Sequence, residues 1–106
     1  MRWNKIGHIF KPSGDIEWMQ SHTMLPVADQ IDTDLYRVYF ASRNADNMSQ
    51  IGYVEIDITD PTTVLTVSEE PVIELGALGT FDDSGVFPSA IVSHDDKKYL
   101  YYVGWT

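Results

Sequence analysis

Cysteine is missing from the chain altogether, which excludes a disulfide framework and any thiolate metal site. Basic charge is scarce: seven Lys and Arg stand against sixteen Asp and Glu, for a formal net charge of −9 at pH 7. Nucleic-acid phosphates call for a Lys/Arg-rich surface, so the composition argues against DNA and RNA as partners. The acidic balance favours neutral or cationic ligands, although acidic surfaces also serve plain solubility. No apolar run approaches the roughly 18 residues of a membrane span. Met1-Arg2-Trp3-Asn4 opens without the basic and apolar regions of a signal peptide. The expectation is a soluble, cytoplasmic protein that engages neither membrane nor nucleic acid. His8, His22 and His94 have no metal-ligand spacing, and Gly76-Ala-Leu-Gly79 lacks the lysine and following helix of a phosphate loop. No metal and no cofactor are therefore expected.

Helix signals are nearly absent too, and strand signals are dense. Leu35 to Arg43 alternates with period two and is rich in aromatic and β-branched residues. Tyr36, Val38 and Phe40 fall on one face, Arg37, Tyr39, Ala41 and Arg43 on the other. Lys98 to Thr106 repeats the style, and Ile51 to Ile58 alternates as well. Further strands are expected at Ile6–Phe10, Thr23–Ala28, Val64–Val67, Val72–Leu75 and Val86–Ser93. Turn chemistry separates them at Pro12-Ser-Gly-Asp15, Asp32-Thr-Asp34, Asn44-Ala-Asp-Asn47, Thr59-Asp-Pro61 and His94-Asp-Asp96. The chain is long enough for one small domain, and many short strands mean a sandwich, a barrel or a propeller.

An internal repeat selects the propeller. Asn4-Lys-Ile-Gly-His-Ile-Phe10 matches Ser49-Gln-Ile-Gly-Tyr-Val-Glu55, and Met24-Leu-Pro-Val-Ala28 matches Val86-Phe-Pro-Ser-Ala90. Leu35 to Arg43 matches Lys98 to Thr106. The repeats run from about 4 to 44 and from about 49 to 106, one single two-repeat unit, each near the 40 to 50 residues of a four-stranded blade. The expected class is all-β, a β-propeller with about two four-stranded blades per chain. The chain ends continue into each other in nearly the right phase. A neighbouring copy's N-terminal strand would then complete the blade that Tyr99–Trp105 begins.

Ser21-His-Thr-Met-Leu-Pro26, Tyr36–Arg43, Ser49–Val54, Gly79-Thr-Phe-Asp-Asp-Ser-Gly-Val-Phe-Pro-Ser89 and Tyr99–Trp105 together resemble the five-bladed glycosidase-like propellers. These are related to glycoside hydrolase families 32, 43, 62, 68 and 130. The chain is similar to their N-terminal two blades. The resemblance implies a saccharide ligand bound at a central funnel, with catalysis by two Asp and a Glu acid from separate blades. The segment that supplies the Glu acid in those enzymes has no match here. Hydrolysis needs two carboxyl groups about 5 to 10 Å apart in one pocket. Three functions stay open: a saccharide-binding, glycosidase-like protein with weak or no hydrolytic activity; a structural or interaction scaffold; and a glycoside hydrolase sharing carboxylates between subunits. Two repeats cannot close a ring, so a homo-oligomer is expected, a six-bladed homotrimer best matching the relatives' curvature.

The candidate catalytic residues are Asp82 and Asp83, which precede the second proline strand. Asp82-Asp-Ser-Gly85 is also ordinary turn chemistry. His22 holds the equivalent place in the first repeat, as a ligand-binding imidazole or a structural one. Arg43, at a strand end beside the Asn44 loop, is a ligand candidate, whereas Arg37 reads as an ion-pair partner. Trp18 and Trp105, with Trp3, offer faces for stacking on sugar rings or for packing between blades.

Overall fold

The computed structural model describes residues 1–106, and its regular structure is entirely strand. Six strands form one sheet: β1 (Ser21–Gln30), β2 (Leu35–Arg43), β3 (Ser49–Asp57), β4 (Asp60–Val67), β5 (Gly85–His94) and β6 (Lys97–Trp105). The first four make an antiparallel meander in chain order. A single parallel pairing, Ser49 with Gly85, joins it to the β5–β6 hairpin. With no helix present, none is long and apolar enough to cross a membrane.

Local chemistry explains the turns. Asp95 and Asp96 both adopt positive φ (49° and 61°) and link β5 to β6, as a two-residue hairpin loop of matching twist demands. Asn44 Oδ1 accepts from the backbone N–H groups of Asp46 (2.9 Å) and Met48 (3.0 Å), closing the β2–β3 loop. Asp57 Oδ1 accepts from both N–H and O–H of Thr59, so the β3–β4 turn falls on Ile58-Thr59. Asp60 and Pro61, read from sequence as turn residues, already belong to β4. An outermost strand tolerates a proline because its missing N–H is needed by no neighbour.

Two expected strands do not form. Ile6–Phe10 lies outside the sheet. It is held by side chains instead: the Phe10 ring packs 5.6 Å from Phe40, and Thr23 Oγ1 donates to the Phe10 carbonyl. Val72–Leu75 contributes only an isolated bridge, Ile73 to Ile51. Alternating apolar residues specify a face, but a strand also needs a neighbouring edge for its backbone groups.

The repeat reappears in the register. Met24 pairs with Ala41 in the first hairpin, and Val86 with Gly104 in the second. These are equivalent positions in the sequence alignment of the two copies. Each hairpin is irregular at its proline: the register shifts between Met24 and Val27, and between Pro88 and Ala90. Proline cannot donate to the ladder, so a bulge there leaves no partner unsatisfied.

The core lies on the Phe40 face of the meander. Trp18, Met19, Phe40, Val54 and Ile56 are buried together, with Phe10, Ile16, Tyr36 and Val38 packed around them. Opposite lies the Arg37 face, where the guanidinium stacks 4.3 Å above the Tyr53 ring and reaches Glu55 at 3.6 Å. Lys98 of β6 donates to the buried Asp29 of β1 at 2.8 Å, tying the second hairpin to the first.

Candidate functional site

One row of paired residues crosses five strands at a single end of the sheet. Ser21 pairs with Arg43, Arg43 with Ser49, Ser49 with Gly85, and Gly85 with Trp105. At the neighbour spacing of about 4.8 Å, β2 and β6 are roughly 14 Å apart along this row. Directly paired residues share a face, so Arg43 lies between two small serines. His22 adjoins the row after Ser21, and Asp82-Asp83-Ser84 leads into it at Gly85. The structure thus brings His22, Arg43, the Asp82-Asp83 pair and Trp105 to one edge of the molecule.

The backbone there is strained. His22 (φ 69°) and Leu25 (φ 57°) are left-handed without being glycine, and both sit in the irregular part of β1. Such conformations cost about 1 to 3 kcal/mol each and gather at binding and catalytic sites. The distortion brings His22 Nδ1 within 2.8 Å of the Ser21 hydroxyl and leaves the imidazole exposed. Ser49, fully buried, donates to the Val86 carbonyl at 2.7 Å and so locks the start of β3 to the start of β5.

The two aspartates divide their work, as adjacent residues with diverging side chains must. Asp82 is 8% exposed, and both its oxygens accept from hydroxyls: Oδ1 from Thr80 at 2.9 Å, Oδ2 from Tyr102 at 3.0 Å. The hydrogen bond to Asp82 raises the Tyr102 hydroxyl above the ordinary tyrosine pKa. Gly76 and Gly104 flank this carboxylate so closely that a Cβ on either would overlap Asp82 atoms. Asp83 accepts from the Gly79 N–H at 2.8 Å and from Ser84 Oγ at 2.9 Å. The Gly79 bond, then those from Thr106 and Ser84, hold its carboxyl below the usual aspartate range. Asp82 therefore anchors the Thr80–Asp83 loop to β6, and Asp83 stays ionised beside the row.

Trp105 folds its ring over Gly85, where a side chain would overlap it, and lies 5.8 Å from Phe87. It remains partly exposed. Trp18 goes to the core: it is 7% exposed, fills the space beside Gly52, and donates from Nε1 to the Glu69 carbonyl at 2.8 Å. Trp3 is 88% exposed and packs on nothing comparable. His8 lies exposed in the N-terminal segment, and His94 ends β5, next to Asp95 at 3.1 Å on an open surface. No three His, Asp or Glu side chains converge as metal ligands.

Sequence reasoning missed an open groove of about 630 Å³ beside the Asn44 loop, reaching Trp18, Gln20, Gln50, Glu69 and Glu74. Gln50 precedes Ile51 on β3 and points away from the Arg43 side of the sheet. The groove joins residues from four separate stretches of chain. Its only local signal is the run Glu69-Glu70-Pro71.

Comparison with known proteins finds relatives in Mycobacterium tuberculosis. The chain is 44% identical over 105 residues to the uncharacterized protein Rv1502 of Mycobacterium tuberculosis (strain ATCC 25618 / H37Rv). It is equally similar to the uncharacterized protein MT1551 of strain CDC 1551 / Oshkosh. In each case 99% of this chain is matched to 35% of the relative. The chain thus spans about a third of the length of the curated relatives it matches. No family model and no solved structure matches it.

Proposed function

We propose that this chain is a saccharide-binding unit of a glycosidase-like β-propeller, with weak or no hydrolytic activity. The observation that carries the reading is the row at one sheet end. It gathers a strained His22, Arg43, the ionised Asp83 and the partly exposed Trp105 ring. An aromatic face suits the C–H face of a pyranose, while the polar groups suit its hydroxyls. Because protein hydroxyls occupy both Asp82 oxygens, Asp82 holds its loop in place and is not free for turnover. A hydrolytic role for Asp83 requires a second carboxyl from another blade.

The same reading has copies of the chain close the propeller, three chains making six blades. Its support is the register. β3, which begins with the second Ile-Gly copy, lies beside β2; β6, the repeat equivalent of β2, has an unpaired outer edge. The first copy, Ile6-Gly7, lies outside the sheet and matches that place. A neutral and acidic glycan array, run beside a DNA-binding assay and light scattering, tests both parts. Glycan signal from a trimer supports them. DNA binding without glycan signal ends the saccharide reading, a stable monomer ends the trimer, and a trimer without glycan signal favours the scaffold.

A further inference from the structure

We infer that Arg43 makes this site select saccharides that carry an oxyanion, a carboxylate or a sulfate. The inference rests on the saccharide reading above and adds the class of sugar. Its starting point is a contrast between the two arginines of β2. Arg37 is engaged twice, by the Glu55 carboxylate and by the Tyr53 ring. Arg43 has no carboxylate within ion-pair distance, although the chain holds sixteen Asp and Glu. The Nε–H of both arginines is shut off from solvent with no acceptor, so the contrast lies in the rest of the guanidinium: Arg37 has a carboxylate and a ring beside it, and Arg43 has no ion-pair partner.

The surroundings keep this guanidinium available. Ser21 and Ser49 flank it in the register, and neither is long enough to cover it. The Ser21 hydroxyl is committed to His22 and the Ser49 hydroxyl to the Val86 carbonyl. A guanidinium only donates, so what Arg43 lacks is an acceptor, and neither serine oxygen accepts from its Nε–H. The residue as a whole is only partly buried. A planar fork of N–H donors matches a carboxylate or sulfate edge with two parallel hydrogen bonds. The exposed His22 imidazole, one residue past Arg43's partner Ser21, stands where the same ligand would extend. The formal charge of −9 repels anions in general. Selection then falls on ligands that the rest of the row also holds, which a free inorganic anion cannot satisfy.

The test is calorimetric titration of the full chain with three probes: a galacturonic acid trimer, the neutral galactose trimer and a sulfated galactose trimer. At least one charged trimer should bind about ten- to a hundredfold more tightly than the neutral one, the range of a hydrogen bond to a charged group. Whichever charged probe wins names the oxyanion. Arg43→Gln should bring that probe down to the neutral trimer's affinity. Arg43→Lys keeps the charge without the fork and should lose most of the preference, with a steeper salt dependence. Circular dichroism on both variants shows that the sheet is intact. Equal binding of neutral and charged trimers, or a preference that survives Arg43→Gln, overturns the inference and leaves the saccharide reading standing. Binding of no saccharide at all overturns both.

Discussion

Gly52→Ala probes how the meander closes on its core, and its effect follows from three atoms. A methyl group at Gly52 would overlap Trp18 Cη2 and sit 2.8 Å from Trp18 Cζ2 and 2.7 Å from Ser68 Oγ. Trp18 has little room to retreat, being 7% exposed and fastened through Nε1 to the Glu69 carbonyl. Ser68 is 6% exposed, and its hydroxyl accepts from the Tyr53 N–H at 2.9 Å. Overpacking of this kind costs about 1 to 3 kcal/mol. Loosening the indole hydrogen bond adds about 1 kcal/mol. Alanine's preference over glycine inside a strand returns roughly 0.5 to 1 kcal/mol. The net loss is about 1 to 3.5 kcal/mol, which at about 4 to 8 °C per kcal/mol lowers Tm by roughly 4 to 28 °C. Differential scanning calorimetry reads this directly. A Tm within about 3 °C of the parent would refute the wedge argument. The cycle with Trp18→Ala sharpens it, since the indole's removal should make Gly52→Ala nearly neutral. Gly7 is the control: nothing lies within 4 Å of an added Cβ there, so only its φ of +108° resists substitution. Gly7→Ala should therefore cost only that backbone strain, about 1 kcal/mol, and the loss should be indifferent to Trp18→Ala.

Lys98→Ala should destabilise the chain by about 1 kcal/mol in urea unfolding, an estimate reduced for the half-exposed lysine. The variant leaves Asp29, largely buried, without its 2.8 Å cation. The parent's advantage should shrink in high salt, and equal midpoints at low salt would dismiss the contact. Asp82→Asn should return the Tyr102 titration toward the ordinary tyrosine value, followed by ultraviolet absorbance. The raised pKa means that the folded state binds the phenolic proton more tightly than the unfolded state does. This contribution to stability is complete below the ordinary pKa of 10.0 and is lost as pH rises through the raised value. Unchanged alkaline unfolding in Asp82→Asn would show that the carboxylate does not hold Tyr102.

Strand positions were legible where alternation was strong and turn residues stood at both ends. Leu35–Arg43 is an example, reproduced residue for residue as β2. Ile6–Phe10 alternates in the same way yet stays out of the sheet, because periodicity records a face and not an edge. Trp18 shows the limit for single residues. Nothing in its neighbourhood distinguishes a stacking platform from a core wedge, and the decision came from Gly52, far along the chain. Asp82 was legible as a turn residue, whereas its contact with Tyr102 required β5 and β6 to fold back on each other.

By itself, the sequence determined the class of the molecule. Alternation, turn chemistry and the absence of helix signals dictate strands, and the repeated Ile-Gly, proline and aromatic segments dictate two like hairpins. These are local properties, set by backbone preferences and by which residues share a face. Only the tertiary structure decided the row Ser21, Arg43, Ser49, Gly85 and Trp105. The row depends on hydrogen-bond register, and a slip of one residue in β1, β2 or β3 would turn Arg43 away from one of its serines. Register is fixed by packing across the whole sheet, by Ser49 locked to Val86 and Trp105 laid over Gly85. For the same reason Arg43's unpaired guanidinium could be seen only in the fold: a missing partner is a statement about every other residue at once.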